Sequence, residues 1–132
     1  MIHEEICTYE VAKLAKEKGF DVQTFDWYDY TGNYHKGFIP HELHECPRYK
    51  EYYAPTQSLL QRWLREEKGL HINVDYNHPN KRWTPTIIRM CGIPTRDTPY
   101  RFDLRSSSSY VVALEKALIY ALNMLPSRET SK

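Results

Sequence analysis

Apolar residues recur along the chain in two rhythms, and the change of rhythm separates helices from strands. Val11, Ala12, Leu14 and Ala15 share one side of a helical wheel, while Lys13, Lys16 and Glu17 take the other. Thr8 before them is an N-cap and Gly19 after them a stop. A second helix is predicted over 56–68, with Pro55 at its first position, Leu59, Leu60, Trp63 and Leu64 on one face, and Gly69 at its end. The period then drops to two. Leu70, Ile72, Val74 and Tyr76 alternate with His71, Asn73 and Asp75, which predicts a strand with one buried side. Past a turn at Asn77-His78-Pro79-Asn80, residues 83–90 read as a second strand, where Pro85 points to an edge or an irregular start. Tyr100, Phe102 and Leu104 alternate with Arg101, Asp103 and Arg105 in a third. The four serines at 106–109 offer N-caps for a last helix over 107–125, with Val111, Leu114, Leu118, Ala121, Leu122 and Leu125 as its stripe and Pro126 closing it.

From 55 to 125 the order is therefore helix, strand, strand, strand, helix, with the strands close enough in sequence for an antiparallel meander. The predicted class is α+β: a three-stranded antiparallel sheet, helices packed on one face, and an N-terminal helix and aromatic-rich loop added to it. A length of 132 residues fits a single domain, with 1–54 packed on a 55–125 core and 126–132 frayed. Residues 20–30 begin as a strand, and 31–54, with Gly32, Gly37, Pro40 and Pro47, read as a loop. Ten of the 18 aromatic residues fall within 20–53, so that segment is expected to lie half-buried against the body of the protein.

Charge alters this picture little in total and much in distribution. Lys plus Arg number 18 against 17 Asp plus Glu, a net of +1, so no global field announces a nucleic-acid or membrane partner. Residues 1–54 hold 6 basic and 10 acidic side chains, however, and 55–132 hold 12 and 7. In one reading Lys81, Arg82, Arg89, Arg101 and Arg105, interleaved with Trp83, make a basic, stacking-capable patch on the open sheet face, suited to phosphates and unstacked bases. In the other, the acidic first half neutralises the basic second half, and the arginines guard a sheet edge. Cys7, Cys46 and Cys91 are odd in number and far apart, which fits a reducing cytoplasm. No apolar stretch approaches membrane-spanning length and no export signal opens the chain, so a soluble protein is expected.

One cluster has metal-ligand character: His41, His44 and Cys46 bring imidazoles and a thiol together in a loop, the donor types zinc selects. A second pair of ligands at matching spacing is missing, so surface histidines without a cofactor are the default. Catalysis is not expected, because the chain has no nucleophile elbow, glycine-rich phosphate cradle or oxyanion motif.

Two wordings resemble known families. The run Pro55-Thr56-Gln57-Ser58-Leu59-Leu60-Gln61, the three strands and the final Ala117-Leu118 helix resemble double-stranded-RNA-binding domains in topology. That family holds phosphates with lysines where this chain has Ser106-Ser107-Ser108-Ser109-Tyr110-Val111, so the likeness implies the fold and no binding residue. The stretch from Cys7-Thr8-Tyr9-Glu10-Val11-Ala12 to Gly19-Phe20, with Ala54-Pro55-Thr56-Gln57 through Arg65-Glu66, is similar to small uncharacterised proteins of phages and prophages of gut Bacteroides-type bacteria. It implies an accessory protein and no activity. The expectation is a non-enzymatic protein that binds a macromolecule: nucleic acid through the basic sheet face, or a protein partner through the tyrosine-rich 25–53 segment. A small metal-binding protein is a further alternative.

Overall fold

Three helices and two small antiparallel sheets make up the regular structure of residues 4–37, 51–90 and 100–126, which the computed structural model describes. The backbone divides into two compact units, Met1–Thr56 with Leu125–Lys132 (unit 1) and Gln57–Met124 (unit 2).

Unit 1 begins with α1 (Tyr9–Glu17), started as its sequence predicts by the Thr8 hydroxyl, which accepts the Val11 N–H at 3.4 Å. Val11, Ala12 and Ala15 are buried, and Gly19 turns the chain away at φ +101°. The aromatic segment differs from the expected strand and loop. Only Trp27–Tyr28 (β1) is strand before residue 31, and what reads as loop contributes Tyr34–His35 (β2) and Tyr52–Tyr53 (β3). The three form an antiparallel sheet in the order β2-β1-β3, with Trp27 between His35 and Tyr53 and Tyr28 between Tyr34 and Tyr52. Local chemistry closes the first hairpin. The Asp29 carboxylate accepts the Thr31 and Asn33 amides at 2.9 and 3.0 Å, and Gly32 adopts φ +91° where an added Cβ would meet the Tyr9 ring at 3.3 Å. Near the other end of the unit, the Cys7 N–H donates to the Pro55 carbonyl at 2.9 Å.

Unit 2 has the predicted helix-strand-strand-strand-helix order: α2 (Gln57–Lys68), β4 (Leu70–Asn77), β5 (Arg82–Arg89), β6 (Arg101–Asp103) and α3 (Tyr110–Asn123). β4 and β5 pair antiparallel over their full length, from Leu70 opposite Arg89 to Asn77 opposite Arg82. Alternation sends Leu70, Ile72 and Ile87 to the face that α2 and α3 cover, where they are buried with Leu60, Leu64, Leu114, Leu118 and Leu122. Truncating one such side chain to alanine costs about 2–5 kcal/mol. Gln57 is buried too, and its amide donates to the Val111 carbonyl and the Glu115 carboxylate, tying the start of α2 to α3. Gln61 reaches the edge of the sheet, where its amide donates to the Ile72 carbonyl at 2.8 Å.

Three details depart from the sequence reading. Pro85 lies in the central strand, since the order is β4-β5-β6. Its carbonyl accepts the Leu104 N–H at 3.0 Å, but it has no N–H to return. Between the Ile87–Phe102 and Trp83–Ser107 pairings β5 advances four residues and its partner five, so a bulge absorbs the missing donor and ends β6 early. The last helix starts at Tyr110 on the Ser109 cap and ends at Asn123, and it leaves Val111 exposed, with Ala113 and Ala117 in the core instead. Pro55 precedes α2 by two residues and does not open it. No helix formed by the described residues is long and apolar enough to cross a membrane.

Candidate nucleic-acid interface

Strand register decides where the six basic and aromatic candidates lie, because neighbouring residues on a strand face opposite ways. Arg82 pairs with Asn77 and belongs, with Thr84, Thr86 and Ile88, to the face away from the helices. Trp83 and Arg89 belong to the helix-covered face, opposite Tyr76 and Leu70. Arg101, paired with Ile88, joins the open face, and Arg105 is exposed in the bulged segment after β6. The basic sheet face expected from sequence is thus divided between two faces, and Trp83 and Arg101 do not share a surface.

The open face is also not basic. Arg82 and Arg101 share it with Asp75 and Asp103, and Arg101 Nε lies 3.2 Å from the Asp103 carboxylate, which also accepts the buried Thr86 hydroxyl at 3.1 Å. Both members of that ion pair are about 60% exposed (60% and 63%), so the pair contributes at most about 1 kcal/mol.

A different grouping forms at the hairpin end of unit 2. Tyr76 and Trp83 pair across the strands, ring centroids 4.7 Å apart, and Tyr110 at the start of α3 meets Trp83 edge-on at 5.1 Å. The indole is held by its backbone, which exchanges hydrogen bonds of 2.7 and 2.8 Å with Ser107. The two tyrosines remain 47% and 42% exposed, and the His78 ring lies tilted near Tyr76 at 6.4 Å. Lys81 sits exposed in the hairpin turn, and Arg82, on the opposite face of the sheet from these rings, is fixed by the Ser106 hydroxyl and carbonyl, both at 2.9 Å. Lys81 has φ +54°, a backbone state that favours glycine and costs another residue about 1 kcal/mol. Sequence reasoning missed Tyr76 and Tyr110. The signal for Tyr76 was present, since it closes the alternating run before the hairpin and Trp83 opens the strand after it, and the two pair in the register; Tyr110 needed the three-dimensional path of α3.

In unit 1 the tyrosines of the 25–53 segment are largely committed to one another. Tyr9 meets Tyr28 and Tyr52 edge-on, each at 5.7 Å, and Tyr28 meets Tyr34 at 5.6 Å. The Tyr28 hydroxyl donates to the Cys7 carbonyl at 2.7 Å, and the Tyr34 hydroxyl donates to Asp26. Burial and the Asp26 carboxylate push the Tyr34 phenol up to about 12, and burial with neighbouring Tyr9, Glu17 and Glu51 raises that of Tyr52. His35 stacks on Trp27 at 4.3 Å and places Nε2 2.7 Å from Asp29. Burial alone would raise the Asp29 pKa. Its hydrogen bonds with the Thr31 hydroxyl, His35, and the Asn33 and Thr31 amides overcome that and hold it well below the usual carboxylate range. Phe25 and Tyr30 stay more than half exposed.

His41, His44 and Cys46 lie outside the described residues, and among the described residues no three His, Cys, Asp or Glu side chains gather as a metal site. No protein family, curated protein or solved structure matches the chain.

Proposed function

We propose that the protein is a non-catalytic module that binds nucleic acid through the hairpin end of unit 2. The observation that carries this reading is the Tyr76–Trp83–Tyr110 aromatic group at the hairpin end, with the exposed Lys81 in the adjoining turn. Cations next to exposed aromatic rings supply the two forces that hold nucleic acid, phosphate attraction and base stacking. The charge of the unit supports it: Gln57–Met124 contains 10 Lys and Arg against 6 Asp and Glu, a net of +4, while the rest of the chain is −3. Arg82, Arg89, Arg101 and Arg105 are not part of the proposed site. An accessory role in the cytoplasm is part of the same proposal, and the wide cysteine spacing favours that setting.

The test is a fluorescence-anisotropy titration of the full chain against labelled DNA and RNA at two salt concentrations. Binding that weakens with salt, and weakens less steeply in Lys81→Ala, is the expected result. Absence of binding at low salt by folded protein overturns the reading.

A further inference from the structure

We propose that the nucleic acid taken at this site is single-stranded, with unpaired bases stacking on Tyr76 and Tyr110 while Trp83 holds the two rings in position. The inference rests on the nucleic-acid reading and narrows it to a ligand class and to the residues that choose it.

Three observations lead there. First, the exposed chemistry at the hairpin end is aromatic more than charged: two tyrosines with 47% and 42% exposure against one exposed cation, Lys81. A duplex hides its base faces and offers a protein chiefly phosphates and groove edges, so it gains little from such a surface. A single strand has free π-faces, and each stacked base adds about 1–3 kcal/mol. Second, the rings are preorganised. Trp83 contacts Tyr76 at 4.7 Å and Tyr110 at 5.1 Å while its own backbone is clamped to Ser107, so little side-chain freedom remains to be lost when a base arrives. Third, the rings come from separate elements, β4 and the first residue of α3, and Trp83 contacts both. Bases therefore have a ring from each element to stack on, which suits a flexible strand.

The electrostatic share is correspondingly small. With Lys81 as the phosphate contact, log K should fall with log salt at a slope of about −0.7, which Lys81→Ala should largely remove.

The experiment compares labelled oligothymidylate and oligouridylate with a hairpin duplex of equal length, using the full chain. Wild-type protein is expected to prefer the single strands. Tyr76→Leu and Tyr110→Leu should each weaken single-strand binding about five-fold to 150-fold, the span of one stacked base. Tyr76→Phe, which keeps the ring and loses only the hydroxyl, should bind as wild type does. So should Arg101→Ala, on the far face of the sheet. Binding should quench tryptophan fluorescence, and Trp83→Phe should lose that quench, because Trp83 touches both platforms. Circular dichroism melts check that each variant is folded. Duplex binding as tight as single-strand binding, or leucine variants that bind like wild type, would overturn the stacking inference and leave nucleic-acid binding standing. Failure of wild-type protein to bind either form at low salt would overturn both.

Discussion

Removing the Asp29 carboxylate should loosen unit 1 at its first hairpin. That side chain is 22% exposed and accepts the Thr31 amide at 2.9 Å, the Thr31 hydroxyl at 2.5 Å and the Asn33 amide at 3.0 Å, with His35 Nε2 at 2.7 Å. Each hydrogen bond contributes about 0.5–1.5 kcal/mol net, and the half-exposed His35 pair at most about 1. Asp29→Ala should therefore cost about 2–3 kcal/mol, and Asp29→Asn, which keeps an acceptor oxygen without the charge, about 1 kcal/mol. Two measurements together check this: urea denaturation, and amide hydrogen exchange at Thr31 and Asn33, whose protection should fall first in Asp29→Ala. The pH dependence has a definite sign. A carboxyl whose folded pKa lies below its unfolded value of about 3.8 stabilises the fold fully above that value. The contribution is then lost as the pH drops through the lower folded value, so the gap between wild type and Asp29→Asn should persist in mild acid and close only in strong acid. Unchanged stability together with unchanged exchange at Thr31 and Asn33 would refute the reasoning.

Gly32→Ala combines a strained backbone at φ +91° with a Cβ 3.3 Å from the Tyr9 ring, so a loss of about 1–2 kcal/mol in thermal or urea unfolding is expected. Leu118→Ala leaves a cavity in a fully buried site between α3 and the sheet and should cost about 2–5 kcal/mol, with tryptophan emission reporting the loosened core. Absorbance titration should find one phenol ionising at about 12, and Asp26→Asn should bring it closer to the ordinary value of 10. Because the folded state favours neutral Tyr34, its contribution to stability is present below the ordinary value and is lost as the pH rises through about 12.

Periodicity made unit 2 legible before any coordinates. Eight residues of strict alternation mark β4, and serine caps mark α3 to within the four-residue run. Unit 1 was harder for a physical reason: strands of two residues complete no period, and their pairing depends on a turn built by Asp29 and Gly32. Pro85 misled because a proline is excluded from a central strand only if its neighbour stays in register, and here the neighbour bulges. The proposed site was half legible. Arg82 and Trp83 are adjacent on one strand, so alternation alone sends them to opposite faces; the meeting of Tyr110 with Trp83 depends on how α3 crosses the sheet.

The division of the chain has a kinetic consequence. Unit 2 is an insertion: the chain leaves unit 1 at Thr56 and returns to it at Leu125. Unit 2 can nucleate from near neighbours, since α2 runs through Gly69 into β4 and a short turn joins β4 to β5. Unit 1 must recover its last piece from far away, because the Lys18 ammonium meets the Leu125 carbonyl across 107 residues of sequence. If the insertion has already folded, most of that span no longer counts as slack, which lowers the closure cost by about 1 kcal/mol. Refolding should therefore be ordered, with the inserted unit gaining its protection first and the ends of the chain joining last.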